Sequence, residues 1–99
     1  MSKFLVIWSL EMAQVGQDAI RAVLNMPAYA GRLLAEGKVE QRYHIVGKHG
    51  GAWIYNVESN EELDRLLATA PVYNFARYDV YPLAEMVDPS ILARPDTDS

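Results

Sequence analysis

The sequence contains no cysteine and no long apolar run. Without thiols the chain can form neither a disulfide nor a thiolate nucleophile or metal ligand. The longest apolar run, Phe4 to Trp8, is far shorter than the roughly 20 residues that span a bilayer and too short for the core of a signal sequence. We therefore expect a cytoplasmic protein that does not insert into a membrane.

The chain also has no excess of basic residues. It contains 9 Lys and Arg and 13 Asp and Glu, which gives a net charge of −4. Binding to nucleic-acid phosphates needs concentrated positive charge, so we do not expect a nucleic-acid partner. There is no internal repeat, and 99 residues with 51% apolar content predict a single domain over residues 1–99. A chain this short buries only about 60–65% of its unfolded surface, which predicts a homodimer or a larger homo-oligomer.

The first half of the chain combines a strand pattern with a helical one. Lys3 to Ser9 is β-branched and aromatic, as expected of a buried strand. Apolar residues then recur at helical spacing between Gln17 and Glu36, and Gly37 follows where a helix would stop. Pro27 interrupts this pattern, which predicts either a kink or a second helix after Met26.

The second half begins with two strand-like runs, Val39 to Val46 and Ala52 to Val57, that flank the sequence GKHGG and predict an antiparallel hairpin with a five-residue turn. Ser59 precedes Glu62 by three residues. This spacing is typical of a capping box, in which each side chain accepts a hydrogen bond from the backbone N–H of the other residue at the start of a helix.

A last strand is predicted from Phe75 to Tyr81, closed by Pro82, and residues 83–99 are predicted to be an irregular tail. The order of elements predicts an α+β, ferredoxin-like βαββαβ subunit with both helices on one face of a four-stranded antiparallel sheet. The open face would expose apolar side chains, and packing it against a second copy would form a dimeric α+β barrel. The space between the sheet and the bent helix, or between the sheet and the partner, is the expected ligand site.

Arg42 and His44 are the main candidates for catalysis. They are two residues apart in a strand and so lie on the same face. A fixed cation beside an imidazole, a side chain that exchanges protons near neutral pH, suits the enolisation of a carbonyl compound. Alternatively, both residues lie at a sheet edge and meet solvent or carboxylates such as Glu40.

His49 is a second candidate acid or base, in the hairpin turn where glycines let a ligand approach the backbone. Alternatively, it is an exposed turn residue. Two imidazoles without an evident third ligand do not make a complete metal site, so we predict no metal. Aromatic residues are frequent and either line a pocket for a flat ligand or fill the core and a subunit interface. Trp8, Tyr43 and Tyr73 are the aromatic candidates for substrate contact.

Several segments resemble the muconolactone delta-isomerases, small proteins that move a double bond in a lactone. The resemblance lies in Leu33 to Val39, Gly47, Tyr55 to Leu63, Pro71 to Tyr73 and the late Asp88-Pro-Ser. It implies a ferredoxin-like subunit that assembles into dimers and often decamers, with active sites between subunits and no cofactor. It also implies a reaction in which a proton is abstracted from a lactone and returned.

The same resemblance shows departures at the site. The family's helix glutamate, thought to shuttle the proton, falls at Met26, which cannot act as acid or base. The family's hairpin tyrosine corresponds to His49 and an asparagine two residues later to Gly51. Met26 and Pro27 therefore suggest a more apolar pocket and a different substrate.

From these patterns we expect a cofactor-free isomerase or cyclase that acts by proton transfer on a hydrophobic carbonyl or lactone compound derived from an aromatic or a polyketide. His44 or His49 would serve as acid and base, Arg42 would stabilise enolate charge, and Tyr73 would position the substrate, with Trp8, Tyr43 and Met26 as further contacts. The alternative is a non-catalytic small-molecule binder or assembly protein that kept the fold.

Overall fold

The computed structural model describes residues 1–11 and 16–92. Four strands and three helices occur in the order β1 (Ser2–Leu10), α1 (Gln17–Ala35), β2 (Val39–His44), β3 (Gly50–Val57), α2 (Asn60–Ala68), β4 (Ala76–Leu83) and α3 (Pro89–Leu92). The strands form one antiparallel sheet in the order β2-β3-β1-β4. The predicted ferredoxin-like arrangement is confirmed.

Helices cover one face of this sheet and leave the other face uncovered. On one face, alternate side chains of β1 and β3, such as Val6 and Val57, pack with α1 and α2 into the core and are fully buried. On the other face, which we call the open face, the alternating residues are only partly buried. The open face carries the apolar or aromatic residues Leu5, Ile7, Tyr43, Ala52, Ile54 and Tyr81.

Helix α1 runs without a break through Pro27. Pro27 has no N–H, so the Val23 carbonyl loses its helical donor at that point, but Met26, Tyr29 and Leu33 are buried on either side and hold the helix against the sheet. Gly37, at a φ of 75°, ends the helix as predicted, with Lys38 N–H donating to the Leu33 carbonyl at 2.9 Å. None of the helices in the described part of the chain is long and apolar enough to cross a membrane.

The hairpin between β2 and β3 differs from the prediction in its boundaries. Its loop is residues 45–49, and both Gly50 and Gly51 belong to β3. Gly47 takes the turn, with a φ of 82°. At Gly50 the absence of a side chain lets the backbone of β3 approach β1 closely, since a Cβ there would lie 1.9 Å from the Trp8 carbonyl oxygen.

The last strand is also longer than predicted, because β4 continues through Pro82 to Leu83. A proline is tolerated here because β4 is an edge strand, where one side of the backbone has no neighbour to accept an N–H. The predicted irregular tail contains the short helix α3, and residues 93–99 lie outside the described part of the chain.

Helix α2 begins with the predicted cap. The Ser59 hydroxyl accepts a hydrogen bond from Glu62 N–H at 3.1 Å. The Glu62 carboxylate, however, accepts from the N–H of Glu58 at 2.7 Å and not from that of Ser59. Its other oxygen lies 2.7 Å from Lys38 Nζ. The hydrogen bond from Glu58 N–H, followed by the one from Lys38, lowers the pKa of the Glu62 carboxyl. The contact with Lys38 also links the start of α2 to the start of β2.

We expect Ser59→Ala to lower the free energy of unfolding by about 1 kcal/mol, because the Glu62 N–H loses its acceptor. For a domain of this size, that is a fall of about 4–8 °C in Tm, measured by thermal denaturation. Asn60→Ala is the matched control, since Asn60 makes no side-chain hydrogen bond with any described residue. Equal melting temperatures for the two variants would contradict the assigned cap.

Candidate active site

A cavity of about 370 Å³ lies between the middle of α1 and the β2 edge of the sheet. Helix α1 supplies an apolar wall, and strands β1, β2 and β3 supply the floor and the polar groups. Its lining residues are Trp8, Val23, Met26, Pro27, Arg42, Tyr43, His44, Gly50, Gly51 and Trp53. The structure thus brings together five of the seven residues predicted for the site. Trp53 and Gly51 also line the cavity and were not predicted from the sequence.

The floor of the cavity is a row of residues on neighbouring strands. His44 pairs with Gly51, and Gly51 pairs with Trp8, so the three lie side by side across β2, β3 and β1. Two strand spacings, about 10 Å, separate the backbones of His44 and Trp8. Gly51 has no side chain, and the two indoles close over it, so the row presents an imidazole at one end and an indole at the other.

The indole nitrogens of Trp8 and Trp53 point to the same place. A Cβ built on Gly51 would lie 2.9 Å from Nε1 of Trp53 and 3.2 Å from Nε1 of Trp8. The rings meet edge to face, with centroids 6.3 Å apart and planes at 82°. Nε1 of Trp8 is buried and has no hydrogen-bond partner among the described residues, although buried N–H groups usually have one.

Arg42 stands beside this row on the same face of the sheet. It pairs with Trp53, and its guanidinium carbon lies 5.8 Å from the centre of the indole ring, within range of a cation–π contact. Both Arg42 and His44 are exposed, because β2 is an edge strand. The alternative partner, Glu40, lies 3.2 Å from Lys3 Nζ instead.

The charge of the cavity is opposite to that of the whole chain. No carboxylate stands among the described residues that line it, whereas the chain has a net charge of −4. Arg42, His44 and the indole N–H groups are all hydrogen-bond donors or potential donors. The cavity therefore suits a ligand with an anionic or strongly accepting oxygen and a flat apolar body.

A tyrosine pair below the cavity holds α1 in place. The Tyr29 hydroxyl donates to the Leu66 carbonyl at 2.7 Å, so the Tyr55 hydroxyl, 3.0 Å away, must donate to Tyr29. Burial raises the pKa of Tyr29 and of Tyr55 above the usual value for tyrosine. Both remain neutral at neutral pH and serve as structural links between α1, β3 and α2.

Two predicted residues lie outside the cavity, and a third lines it only at the edge. His49 is exposed in the hairpin loop, where its carbonyl accepts from Leu10 N–H at 2.8 Å, and it does not line the cavity. Tyr73 packs on Tyr78, with ring centroids 6.0 Å apart, and is also outside the lining. Tyr43 is at the rim, and its side chain alternates to the open face.

A second cleft, of about 550 Å³, lies between α2 and strands β1 and β4. Its charged groups are Lys3 and Asp64, and it has no imidazole. It offers less for proton transfer than the smaller cavity. No group of three or more histidines and carboxylates in the described part of the chain is placed to hold a metal ion.

The comparison with known proteins decides the family. The model of the muconolactone delta-isomerase family matches residues 3–88. The chain belongs to the muconolactone delta-isomerase family. It is 40% identical over 75 residues to the muconolactone delta-isomerase of Cupriavidus pinatubonensis, across 76% of this chain and 79% of that protein. It is 36% identical to the enzyme of Acinetobacter baylyi over 57% of this chain and 58% of that protein.

A solved structure agrees in fold. A crystal structure of muconolactone isomerase superposes with a TM-score of 0.74 at 22% identity, covering 85% of this chain and 90% of that chain. The fold is therefore that of the family. A side chain at position 51 would meet Trp8, Trp53 and the Tyr43 carbonyl, so the two indoles occupy the space that an asparagine there would need.

We expect Tyr29→Phe to lower the free energy of unfolding by about 1–3 kcal/mol, because the Leu66 carbonyl and the Tyr55 hydroxyl both lose their partner. Urea denaturation measures this change. Tyr78→Phe is the matched control, because the Tyr78 hydroxyl is buried without a partner among the described residues. If both variants unfold at the same urea concentration, the Tyr29 hydroxyl does not link the helices as described.

Proposed function

We propose that this protein is a cytoplasmic, cofactor-free isomerase that moves a proton within a hydrophobic lactone or related carbonyl compound, derived from an aromatic or a polyketide. The observation that carries the proposal is that His44 and Arg42 both lie on the helix-facing side of the sheet, in a cavity whose opposite wall is apolar. Membership in the muconolactone delta-isomerase family supports an isomerase with a lactone substrate.

His44 acts as the base that removes a proton and as the acid that returns it. His44 lies in the cavity lining beside Gly51, and Met26 on the facing wall has no proton to exchange. His44 is favoured over His49 because His44 lines the cavity and His49 does not.

Arg42 stabilises the negative charge that develops on the carbonyl oxygen as the proton leaves. Its contact with the Trp53 ring limits the positions that its guanidinium can take. A preorganised cation is worth more in a site partly closed to water than in bulk solvent. Tyr43, whose side chain is on the open face, and Tyr73, outside the lining, take no part in the proposed proton transfer.

A second candidate function is supported by Met26. A thioether where the family resemblance places the proton-shuttling glutamate is also consistent with a binding protein that retains its ligand unchanged. The two functions differ in one outcome, which is whether a bound compound exchanges a carbon-bound proton with solvent.

We also propose that the protein is a homodimer joined through the open face. Leu5, Ile7 and Ile54 form an apolar patch in the middle of this face, and no described element covers them. Packing two such sheets together removes the patch from water.

The test of the proposed activity is hydrogen exchange. We expect the protein to catalyse exchange of the acidic ring protons of butenolides in D2O, followed by proton NMR over a panel that includes muconolactone and aryl-substituted lactones. His44→Ala should slow exchange by about 10²–10⁴-fold, the usual contribution of a positioned general base.

His49→Ala is the matched control and should retain exchange within a few-fold of the unmodified protein. A family isomerase provides the positive control. Binding of a lactone without any exchange would favour the binding-protein alternative. Equal rates for His44→Ala and the unmodified protein would remove His44 from the mechanism.

The test of the dimer is a charge placed in the apolar patch. Ile7→Asp should raise the dimer dissociation constant by on the order of a hundredfold or more, because a carboxylate would be buried without a partner. Analytical ultracentrifugation measures the constant. Val46→Asp, at a loop residue that is 94% exposed, should leave it unchanged. A monomeric unmodified protein at high concentration would overturn the proposal.

A further inference from the structure

We infer that the backbone carbonyl of Val23 is a binding site for a hydrogen-bond donor of the ligand. The inference deepens the proposed function by naming the substrate class, a carbonyl compound or lactone that also carries a hydroxyl group away from its carbonyl. It rests on the cavity of the proposed function, but it needs no proton transfer.

The first argument is the missing helical donor. In an α-helix the carbonyl of one residue accepts from the N–H four residues later, and for Val23 that residue is Pro27, inside α1. Proline has no N–H. The carbonyl of Val23 is therefore left without its regular partner in the middle of a helix. A backbone carbonyl in this position needs another donor, from water or from a ligand.

The second argument is the position of this carbonyl. A helical carbonyl points along the axis toward the residue four positions later. Val23 and Pro27 both line the cavity, together with Met26, so the oxygen lies in the part of the wall that these residues form. Val23 is only partly buried and Pro27 is exposed. The protein core therefore does not seal the carbonyl off from a ligand in the cavity.

The third argument is complementarity with the opposite side. Arg42 and His44 on the floor are donors or potential donors and suit the carbonyl oxygen of a ligand. The side chains of Val23, Met26 and Pro27 on the facing wall offer no N–H or O–H and no strong acceptor. The Val23 carbonyl supplies the acceptor that these side chains lack. A ligand with a carbonyl at one end and a hydroxyl at the other would satisfy both sides.

The size of the cavity limits this class further. A volume of about 370 Å³ is at the small end of the range for ligand sites. We therefore expect a compound of one or two rings, such as a hydroxylated aryl ketone or a hydroxyaryl lactone.

The Val23 carbonyl can be observed alone, because the dipeptide Val-Leu occurs once in the chain, at Val23-Leu24. Valine labelled with ¹³C at the carbonyl and leucine labelled with ¹⁵N therefore give a single cross-peak in a spectrum that correlates the two nuclei. The probes are para-hydroxyacetophenone and its methyl ether, which share a ring and a carbonyl and differ in the donor. We expect the hydroxyl probe to move the Val23 carbonyl resonance downfield and the ether to move it little.

The hydroxyl probe should also bind about three- to tenfold more tightly than the ether, which is the effect of one hydrogen bond. Pro27→Ala should abolish this advantage, because it restores the missing N–H, and alanine is the residue best tolerated in a helix. The Val23 carbonyl resonance of the variant should lie downfield without any probe. Loss of the proline ring from the wall affects both probes, so the ratio of their dissociation constants is the readout.

Asn25→Ala is the matched control. It changes an exposed residue of the same helical turn that does not line the cavity, leaves Pro27 in place and should keep the advantage of the hydroxyl probe. Equal binding of the two probes by the unmodified protein, a Val23 resonance that the hydroxyl probe does not move, or an advantage that persists in Pro27→Ala would overturn the inference.

The outcome is independent of turnover, because only binding is measured. A hydroxyl preference without any lactone exchange would disprove the proposed reaction and leave the acceptor site intact. Lactone exchange without a hydroxyl preference would overturn the acceptor site and leave the proposed reaction intact.

Discussion

The cavity depends on one extra residue in β2. Val39 pairs with Tyr55 and Gln41 pairs with Ile54, so Glu40 is a bulge. A bulge changes which side chains of a strand face each side of the sheet. Val39 faces the helices. In a strand without the extra residue, Gln41 and Tyr43 would face the helices too. Because of the bulge, Arg42 and His44 face the helices instead. The Lys3 ion pair holds the bulged Glu40 on the open face.

The second constraint is the position of α1 over the cavity floor, which strands β1, β2 and β3 form. Tyr29 lies just after Met26 and Pro27 and is fixed through its hydroxyl to β3 and α2. Its ring also packs at 6.1 Å from Trp53. Burial of aromatic surface and the hydroxyl pair therefore set the distance between the helix and the indoles. The missing Pro27 N–H removes one helical hydrogen bond, to the Val23 carbonyl, in the turn whose residues Val23 and Met26 form the wall of the cavity.

Most of the fold follows from local signals that the chain carries in order. The apolar run of the first strand, the Ser59 cap and the stop at Gly37 each have a short-range cause, and each was predictable. Which residues of β2 face the helices was not predictable, because the bulge depends on the pairing with β3 and not on any pattern within β2. The position of Trp53 in the cavity was missed for a related reason, since only the register places it opposite Arg42. The spacing of Trp53 two residues after Gly51 in one strand, which puts both on the same face, is the signal that could have found it.

A histidine base places a demand on the groups around it. A carboxylate base passes its negative charge to the substrate, so the number of charged groups stays the same. A neutral imidazole instead becomes a cation as the substrate becomes an enolate, and the creation of two opposite charges is costly wherever water is partly excluded. It becomes feasible only where fixed donors already surround the enolate. In the proposed mechanism Arg42 supplies a fixed positive charge, and no carboxylate among the described residues lines the cavity to neutralise it. A thioether at Met26 adds no negative charge to the facing wall, so the attraction of Arg42 for an enolate is not offset there. The uncharged wall and the single guanidinium are therefore two parts of one electrostatic arrangement.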